Sequence, residues 1–97
     1  KLHNRYNSPV VSKKLRINNL KGLHARPSAK LVKAANKFDA DIYVSKGDQT
    51  VNGKSIMSIM QLAAAKGQEI TVKAVGPDAK EAIESISRLV NSKFFEE

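Results

Sequence analysis

The apolar residues of this chain switch repeatedly between the two-residue spacing of a strand and the roughly 3.6-residue spacing of a helix. After residues 1–12, short segments of the two kinds follow one another in the order strand, helix, strand, strand, helix, strand, helix. Short strands with one apolar face are typical of an antiparallel sheet that is covered on one side only. The pattern therefore predicts an α+β fold in which three helices cover one face of a four-stranded antiparallel sheet.

Strand-like alternation occurs in four short segments. It predicts strands because successive side chains of a strand point to opposite faces of the sheet. The turn-forming sequence Lys46-Gly47-Asp48 joins the second and third segments into a hairpin. The predicted strands cover residues 13–19, 41–45, 49–52 and 69–75.

Three segments carry apolar residues at helical spacing. The first covers residues 26–37, and the second covers residues 55–64 with Ser55 as its N-cap. The third follows Asp78, a predicted N-cap, with Glu81 three residues later as in a capping box. The predicted apolar stripes are Ile56, Ile59, Met60 and Ala63 in the second helix, and Ala79, Ala82, Ile83, Ile86, Leu89 and Val90 in the third.

Length and composition limit the class of protein. A chain of 97 residues, 41% of them hydrophobic, makes one domain with one modest core. It contains no cysteine, which excludes disulfides, thiolate metal sites and a cysteine nucleophile. No apolar run approaches the roughly 18 residues of a membrane span, so we expect no membrane insertion and a cytoplasmic location. We interpret residues 1–12 as an N-terminal extension that can be mobile, and residues 13–97 as the folded domain.

Positive charge is concentrated in the first part of the chain. Of the 17 basic side chains behind the net charge of +8, ten lie in residues 1–38, which contain no acidic residue. A field of one sign speeds the encounter with an acidic or phosphate-bearing partner. Nucleic acid is the competing interpretation, but the five aromatic residues form no cluster among the basic ones on which bases could stack. We therefore do not expect nucleic acid as the partner.

The motif GLHARP, residues 22–27, places an imidazole at the start of the first predicted helix. Proline suits the first helical turn because its φ is already helical and its missing N–H would have no partner there. A helix N-terminus offers unpaired N–H groups and a partial positive charge, which stabilise an anion. A helix that begins near residues 25–27 puts His24 at about the N-cap, with Arg26 within reach. The motif therefore predicts that His24 takes and holds a phosphoryl group.

Two motifs resemble those of the HPr family of histidine-containing phosphocarriers: GLHARPSAKLV from residue 22 and VNGKSIMSIMQLAAAKG from residue 51. The resemblance covers roughly residues 13–92. It implies an open-faced β-sandwich of βαββαβα topology, which agrees with the order predicted from periodicity. It also implies a phosphoryl carrier of the bacterial phosphoenolpyruvate-dependent phosphotransferase system, which serves sugar transport. In that system the carrier accepts the group from phosphorylated enzyme I and passes it to IIA proteins or domains.

The resemblance gives the residues of the first motif separate roles. His24 is the phosphoryl acceptor, through ring Nδ1, and Arg26 stabilises the charge of the phosphate. Ala25, Pro27 and Ser28 support the site at the helix N-terminus. For Ser28, a polar contact with the phosphate and an ordinary first-turn serine are equal alternatives. We expect no metal and no cofactor.

Ser55 has two interpretations that can hold together. Serine is a common N-cap because its hydroxyl accepts a hydrogen bond from a backbone N–H of the first turn. The resemblance implies that Ser55 is also a regulatory site phosphorylated by HPr kinase/phosphorylase. A phosphate is tolerated at a helix N-terminus, while its charge would alter docking beside His24.

An apolar patch follows Ser55. Helical geometry cannot bury all the apolar residues of this helix at once, and Ile59 and Ala63 fit the core best. Flexible methionines that stay outside are suited to docking several partners. We expect the docking patch to comprise Ile56, Met57 and Met60, surrounded by Lys30, Lys33 and Lys37, which would steer acidic partners.

The sequence leaves two other functions open. One is a regulatory adaptor, including a carrier of the nitrogen-related branch, that acts mainly through protein docking and Ser55. The other, which is less favoured, is a small basic domain that binds nucleic acid. We expect a monomer that carries out transferase chemistry without being a stand-alone enzyme.

Overall fold

The computed structural model describes residues 8–95, and the order of their elements is the predicted βαββαβα. A tight C-terminal turn at Lys93–Phe95 follows the last helix. Residues 1–7, most of the expected extension, lie outside the described residues. The strands are β1 (Val10–Arg16), β2 (Asp41–Lys46), β3 (Gln49–Asn52) and β4 (Glu69–Val75), and the helices are α1 (Ala25–Ala35), α2 (Ile56–Gln61) and α3 (Ala79–Asn91).

The four strands form one antiparallel sheet in the order β1-β4-β2-β3. Alternate residues of β4, namely Ile70, Val72 and Ala74, are buried, whereas their neighbours along the strand are more exposed. Helix α3 packs against β1 and β4, and α1 packs against both α2 and α3. The predicted open-faced β-sandwich is therefore confirmed.

Strand β1 begins three residues earlier than predicted and ends before residue 17. Val10 pairs with Val75 and Val11 with Ala74, so residues 10–12 belong to the sheet rather than to an extension. Val10 is apolar but 57% exposed. The alternation of apolar and polar residues that indicates a strand in the sequence therefore becomes visible only further along β1. Strand β1 therefore includes three residues before the strand start that the sequence predicts.

Helix α2 ends at Gln61 rather than at residue 64. Ala63 has a positive φ of 51°, and this left-handed conformation ends the helix. Ala63 is consequently exposed, which contradicts its predicted place in the core. The turn instead buries Leu62 and Ala64, which are 1% and 2% exposed.

Asp78 is the N-cap residue of α3 as predicted, but its carboxylate makes no capping hydrogen bond to this helix. It accepts hydrogen bonds from the backbone N–H groups of Asp39 and Ala40, both at 2.8 Å. Burial raises the pKa of this carboxyl, but these N–H groups and the nearby Lys54 together lower it below its ordinary value of 3.8. Asp78 therefore ties the start of β2 to the start of α3.

The apolar stripe of α3 is buried as predicted. Phe94, in the C-terminal turn, is also fully buried and extends the core beyond the end of α3. The stripe residues Ala79, Ala82, Ile83, Ile86, Leu89 and Val90 are all at most 9% exposed.

Candidate phosphorylation site

His24 is the N-cap residue of α1, in an extended conformation with φ −79° and ψ −169°. Its carbonyl oxygen accepts the first helical hydrogen bond, from the N–H of Ser28 at 3.0 Å. Within residues 8–95, its imidazole makes no hydrogen bond that caps the helix, and the residue is half-buried. The N–H groups of Ala25 and Arg26 precede the first helical bond and point out of the same helix end. The predicted position of the histidine is therefore confirmed.

Gly22 allows the loop before His24 to lie directly on the α2–β4 connection. The N–H of Leu23 donates to the carbonyl oxygen of Ala64 at 2.9 Å. Gly22 has a φ of +67°, and a Cβ there would collide with that same oxygen and lie 2.9 Å from the Cα of Ala65. Only glycine combines this backbone conformation with so close an approach.

Asn19 holds the same loop from inside. Its side-chain Nδ2 donates to the carbonyl oxygen of Gly22 at 2.7 Å, and its own carbonyl oxygen accepts from the N–H of Gly22 at 3.2 Å. Asn19 is 1% exposed, and its Oδ1 is buried without a hydrogen-bond partner among the described residues. The sequence analysis misses the role of Asn19. The signal that could have identified it is an asparagine between a strand and the GLHARP motif.

Ser28 is completely buried and fixes the loop to the helix. Its hydroxyl donates to the carbonyl oxygen of Leu23 at 3.1 Å, and its N–H donates to His24. The structure therefore shows a structural contact of the Ser28 hydroxyl, and its polar contact with a phosphate stays a prediction. Pro27, which is also buried, is the third residue of α1, where its missing N–H leaves no broken helical bond.

The surroundings of His24 are electropositive. Arg26 lies in the first turn of α1 and is exposed, and the turn sequence Ala25–Ser28 contains no acidic side chain. The partial positive charge of the helix end and the guanidinium therefore add together, without a carboxylate in this turn to oppose them. Such a site favours an incoming dianionic phosphoryl group.

Ser55 is the N-cap residue of α2, as predicted, and is half-buried. Its hydroxyl accepts a hydrogen bond from the N–H of Ser58 at 3.3 Å. The structure leaves the apolar residues of the predicted docking patch in solvent while Ile59 is fully buried. Ile56, Met57 and Met60 are 42%, 73% and 41% exposed.

The sequence predicts that Lys30 and Lys33 of α1, and Lys37 in the turn that follows it, surround this patch. The structure places them along a groove that is lined by residues of α1, the turn after it, α3 and the C-terminal turn. The ammonium group of Lys30 donates to the carbonyl oxygen of Phe94 at 2.6 Å. The basic residue that directly precedes Ser55 is Lys54, whose ammonium group donates to the carbonyl oxygen of Phe38 at 2.8 Å. That Lys30, Lys33 and Lys37 also surround the docking patch stays a prediction.

Among residues 8–95, no group of three metal-ligating side chains comes together. In the same part of the chain, no helix has both the length and the apolar character that crossing a membrane requires.

Comparison with known proteins agrees with this geometry. A family model described as the PTS HPr component phosphorylation site matches residues 11–92. The phosphocarrier protein HPr of Treponema pallidum is 43% identical over 88 residues, which cover 91% of this chain and 100% of that protein. The crystal structure of HPr-C-His from Thermoanaerobacter tengcongensis has a TM-score of 0.87 and 44% identity, covering 90% of this chain and 98% of that one. A crystal structure of an HPr dimer from the same organism has a TM-score of 0.71 and 45% identity, covering 82% and 92%.

A small open-faced sandwich with a histidine at the N-cap of its first helix defines the class of histidine phosphocarriers. With these matches over most of its length, the chain belongs to the HPr family. Its role is that of a phosphocarrier of the phosphotransferase system, and phosphohistidine chemistry and sugar transport follow from the family.

Proposed function

We propose that this chain carries the phosphoryl group on His24, accepting it from phosphorylated enzyme I and passing it to IIA proteins or domains. The observation that carries the proposal is the position of His24, a half-buried residue, at the N-cap of α1, beside the N–H groups of Ala25 and Arg26. These groups stabilise negative charge on whatever the ring accepts.

The transfer needs little from the protein besides positioning and charge stabilisation. The lone pair of the unprotonated ring nitrogen of His24 forms a bond to phosphorus as the nitrogen–phosphorus bond of the donor histidine breaks. The electron pair of the broken bond stays with the donor nitrogen. The proton on the other ring nitrogen of His24 is retained during the step. Arg26 and the helix end stabilise the three charged phosphoryl oxygens throughout, as such loose transition states require.

A labelling experiment tests the acceptor. The chain is incubated with labelled phosphoenolpyruvate and enzyme I, and label that is lost in acid is counted as phosphohistidine. The sequence contains two histidines, so His3→Ala is the matched control for His24→Ala. We expect acid-labile label in the wild type and in His3→Ala and none in His24→Ala. Label that persists in a folded His24→Ala variant would contradict the proposal.

We also propose that Ser55 is a second, regulatory phosphorylation site, used by HPr kinase/phosphorylase. Its hydroxyl is at the N-terminus of α2, where a phosphate is electrostatically tolerated, and it directly precedes the exposed docking patch. Added charge of about −2 there would weaken docking of the apolar patch on a partner. Incubation with ATP and the kinase should give acid-stable label that Ser55→Ala abolishes and Ser58→Ala retains. Equal labelling of both variants would exclude Ser55.

The docking patch of Ile56, Met57 and Met60 supports binding of both transfer partners. Methionine side chains adapt to different surfaces, and a single carrier must dock on a donor and on an acceptor in turn. Replacing Met57, the most exposed of the three at 73%, by serine should raise the KM for the carrier in both transfer assays without lowering its thermal stability. An unchanged KM in both assays would remove Met57 from the docking patch.

We place the protein in the cytoplasm as a monomer. The monomer is a prediction of its own, since a related chain is known from the crystal structure of an HPr dimer. Light scattering at several concentrations distinguishes the two states, and a constant mass near 10.6 kDa is the expected result.

A further inference from the structure

A groove of about 390 Å³ separates α1 from α3 beside the C-terminal turn, and neither the His24 site nor the docking patch contributes to its lining. Its volume is within the range of about 300–1,000 Å³ that is usual for small-molecule sites. Lys30 and Lys33 of α1 lie three residues apart and therefore on the same side of the helix, and Lys37, in the turn that follows α1, lines the same groove. The groove is lined by four cations, Lys30, Lys33, Lys37 and Arg88, and by the apolar side chains of Leu89 and Phe95, among others.

The C-terminal turn holds an aromatic ring at the edge of this groove. Lys93, Phe94 and Phe95 have φ values of 55°, 56° and 58°, in a region that side-chain-bearing residues rarely adopt. Complete burial of Phe94 and the hydrogen bond from Lys30 to its carbonyl oxygen fix this unusual turn. Phe95 consequently points outward and is 72% exposed. A ring that is held in solvent beside several cations is a stacking platform.

We propose that this groove binds a nucleoside polyphosphate, with its base on Phe95 and its phosphates against Lys33, Lys37 and Arg88. A phosphate chain places three or four negative charges within one short segment, which matches several cations that line one groove. An acidic peptide spreads its carboxylates over several residues and offers no flat ring at a fixed distance from them. The combination of clustered cations with one exposed ring therefore favours the nucleotide. This inference does not depend on the phosphoryl transfer at His24.

The test is a titration of the full ¹⁵N-labelled chain with ATP, followed by amide chemical shifts. In the wild type we expect shifts confined to α1, α3 and the C-terminal turn, which weaken when the ionic strength is raised. Adenosine and tripolyphosphate, which carry the ring and the charge separately, should each bind at least about tenfold more weakly than ATP. Tripolyphosphate binding as tightly as ATP would overturn the assignment of the base to Phe95.

Matched variants separate a site from general charge attraction. Phe95→Ala should weaken ATP binding by about tenfold or more while tripolyphosphate binding stays unchanged. Arg88→Gln should weaken both ligands, whereas Lys80→Gln, which removes an exposed cation of the same helix outside the groove, should weaken neither. Equal losses in Arg88→Gln and Lys80→Gln would show attraction by net charge alone and overturn the proposal.

Two further outcomes would also overturn it. One is binding of a hexaglutamate peptide as tightly as ATP at the same ionic strength, which would make the groove a docking site for acidic proteins. The other is ATP shifts centred on His24 and the first turn of α1 instead of the groove. The transfer of phosphoryl groups to His24 in Phe95→Ala should equal that of the wild type, so this proposal and the proposed function can fail separately.

Discussion

The replacement Gly22→Ala tests whether close packing of the loop before His24 on the α2–β4 connection positions the histidine. Two costs follow from the structure. The first is the φ of +67°, which an alanine adopts at a cost of about 1–2 kcal/mol. The second is the new Cβ, which would meet the backbone at Ala64 and Ala65 rather than a flexible side chain. Backbone shifts forced by overpacking cost about 1–3 kcal/mol.

Together these costs predict that Gly22→Ala lowers the free energy of unfolding by about 2–5 kcal/mol. For a domain of this size, the melting temperature should fall by roughly 10–25 °C. The loop should also move away from Ala64 and take His24 with it. The rate of phosphoryl transfer from enzyme I, measured at a temperature where the variant is folded, should therefore fall as well.

The chain offers a matched control in Gly47→Ala. Gly47 has a similar φ of +58°, but a Cβ there would meet nothing within 4 Å. Only the conformational cost of about 1–2 kcal/mol applies, and transfer to His24 should keep its wild-type rate. Urea unfolding of both variants gives the difference, which we expect to be about 1–3 kcal/mol. Equal destabilisation, or a wild-type transfer rate in Gly22→Ala, would refute the role of this close approach.

Three further predictions concern separate parts of the molecule. Arg26→Ala should slow transfer to and from the chain by roughly tenfold or more and leave stability within about 0.5 kcal/mol; unchanged rates would exclude Arg26 from the site. Asp78→Asn should destabilise the fold by about 1 kcal/mol at neutral pH, because the amide group replaces the charge that accepts from Asp39 and Ala40. Since the folded-state pKa of Asp78 is below 3.8, its contribution is complete above that pH and is lost as the pH falls through the lowered value; a difference from wild type that does not shrink as the pH is lowered below 3.8 would contradict this. Phe94→Ala should cost about 3–5 kcal/mol in urea unfolding, and a loss under about 1 kcal/mol would show that the C-terminal turn is not part of the core.

The parts of the fold that the sequence predicts well are those governed by local rules. The Lys46-Gly47-Asp48 turn fixes the hairpin, and Lys46 indeed pairs with Gln49 in the register. The proline in the first helical turn located the start of α1 and hence His24 at the N-cap. Backbone preferences of this kind act over a few residues, so they can be read from the chain directly.

The parts that the sequence did not predict depend on contacts between distant residues. Val10 lies in β1 because it pairs with Val75, although its own side chain is exposed. The carboxylate of Asp78 binds the backbone about 40 residues earlier instead of capping its own helix, a choice that only the packing of the two segments decides.

The most direct test of the central claim is the ¹⁵N NMR spectrum of the chain with labelled histidine, before and after incubation with phosphoenolpyruvate and enzyme I. The account predicts that a nitrogen–phosphorus coupling appears on one ring nitrogen of His24, Nδ1, while the ring of His3 is unchanged. A coupling on the ring of His3, or complete phosphorylation without a coupling on either imidazole, would contradict it.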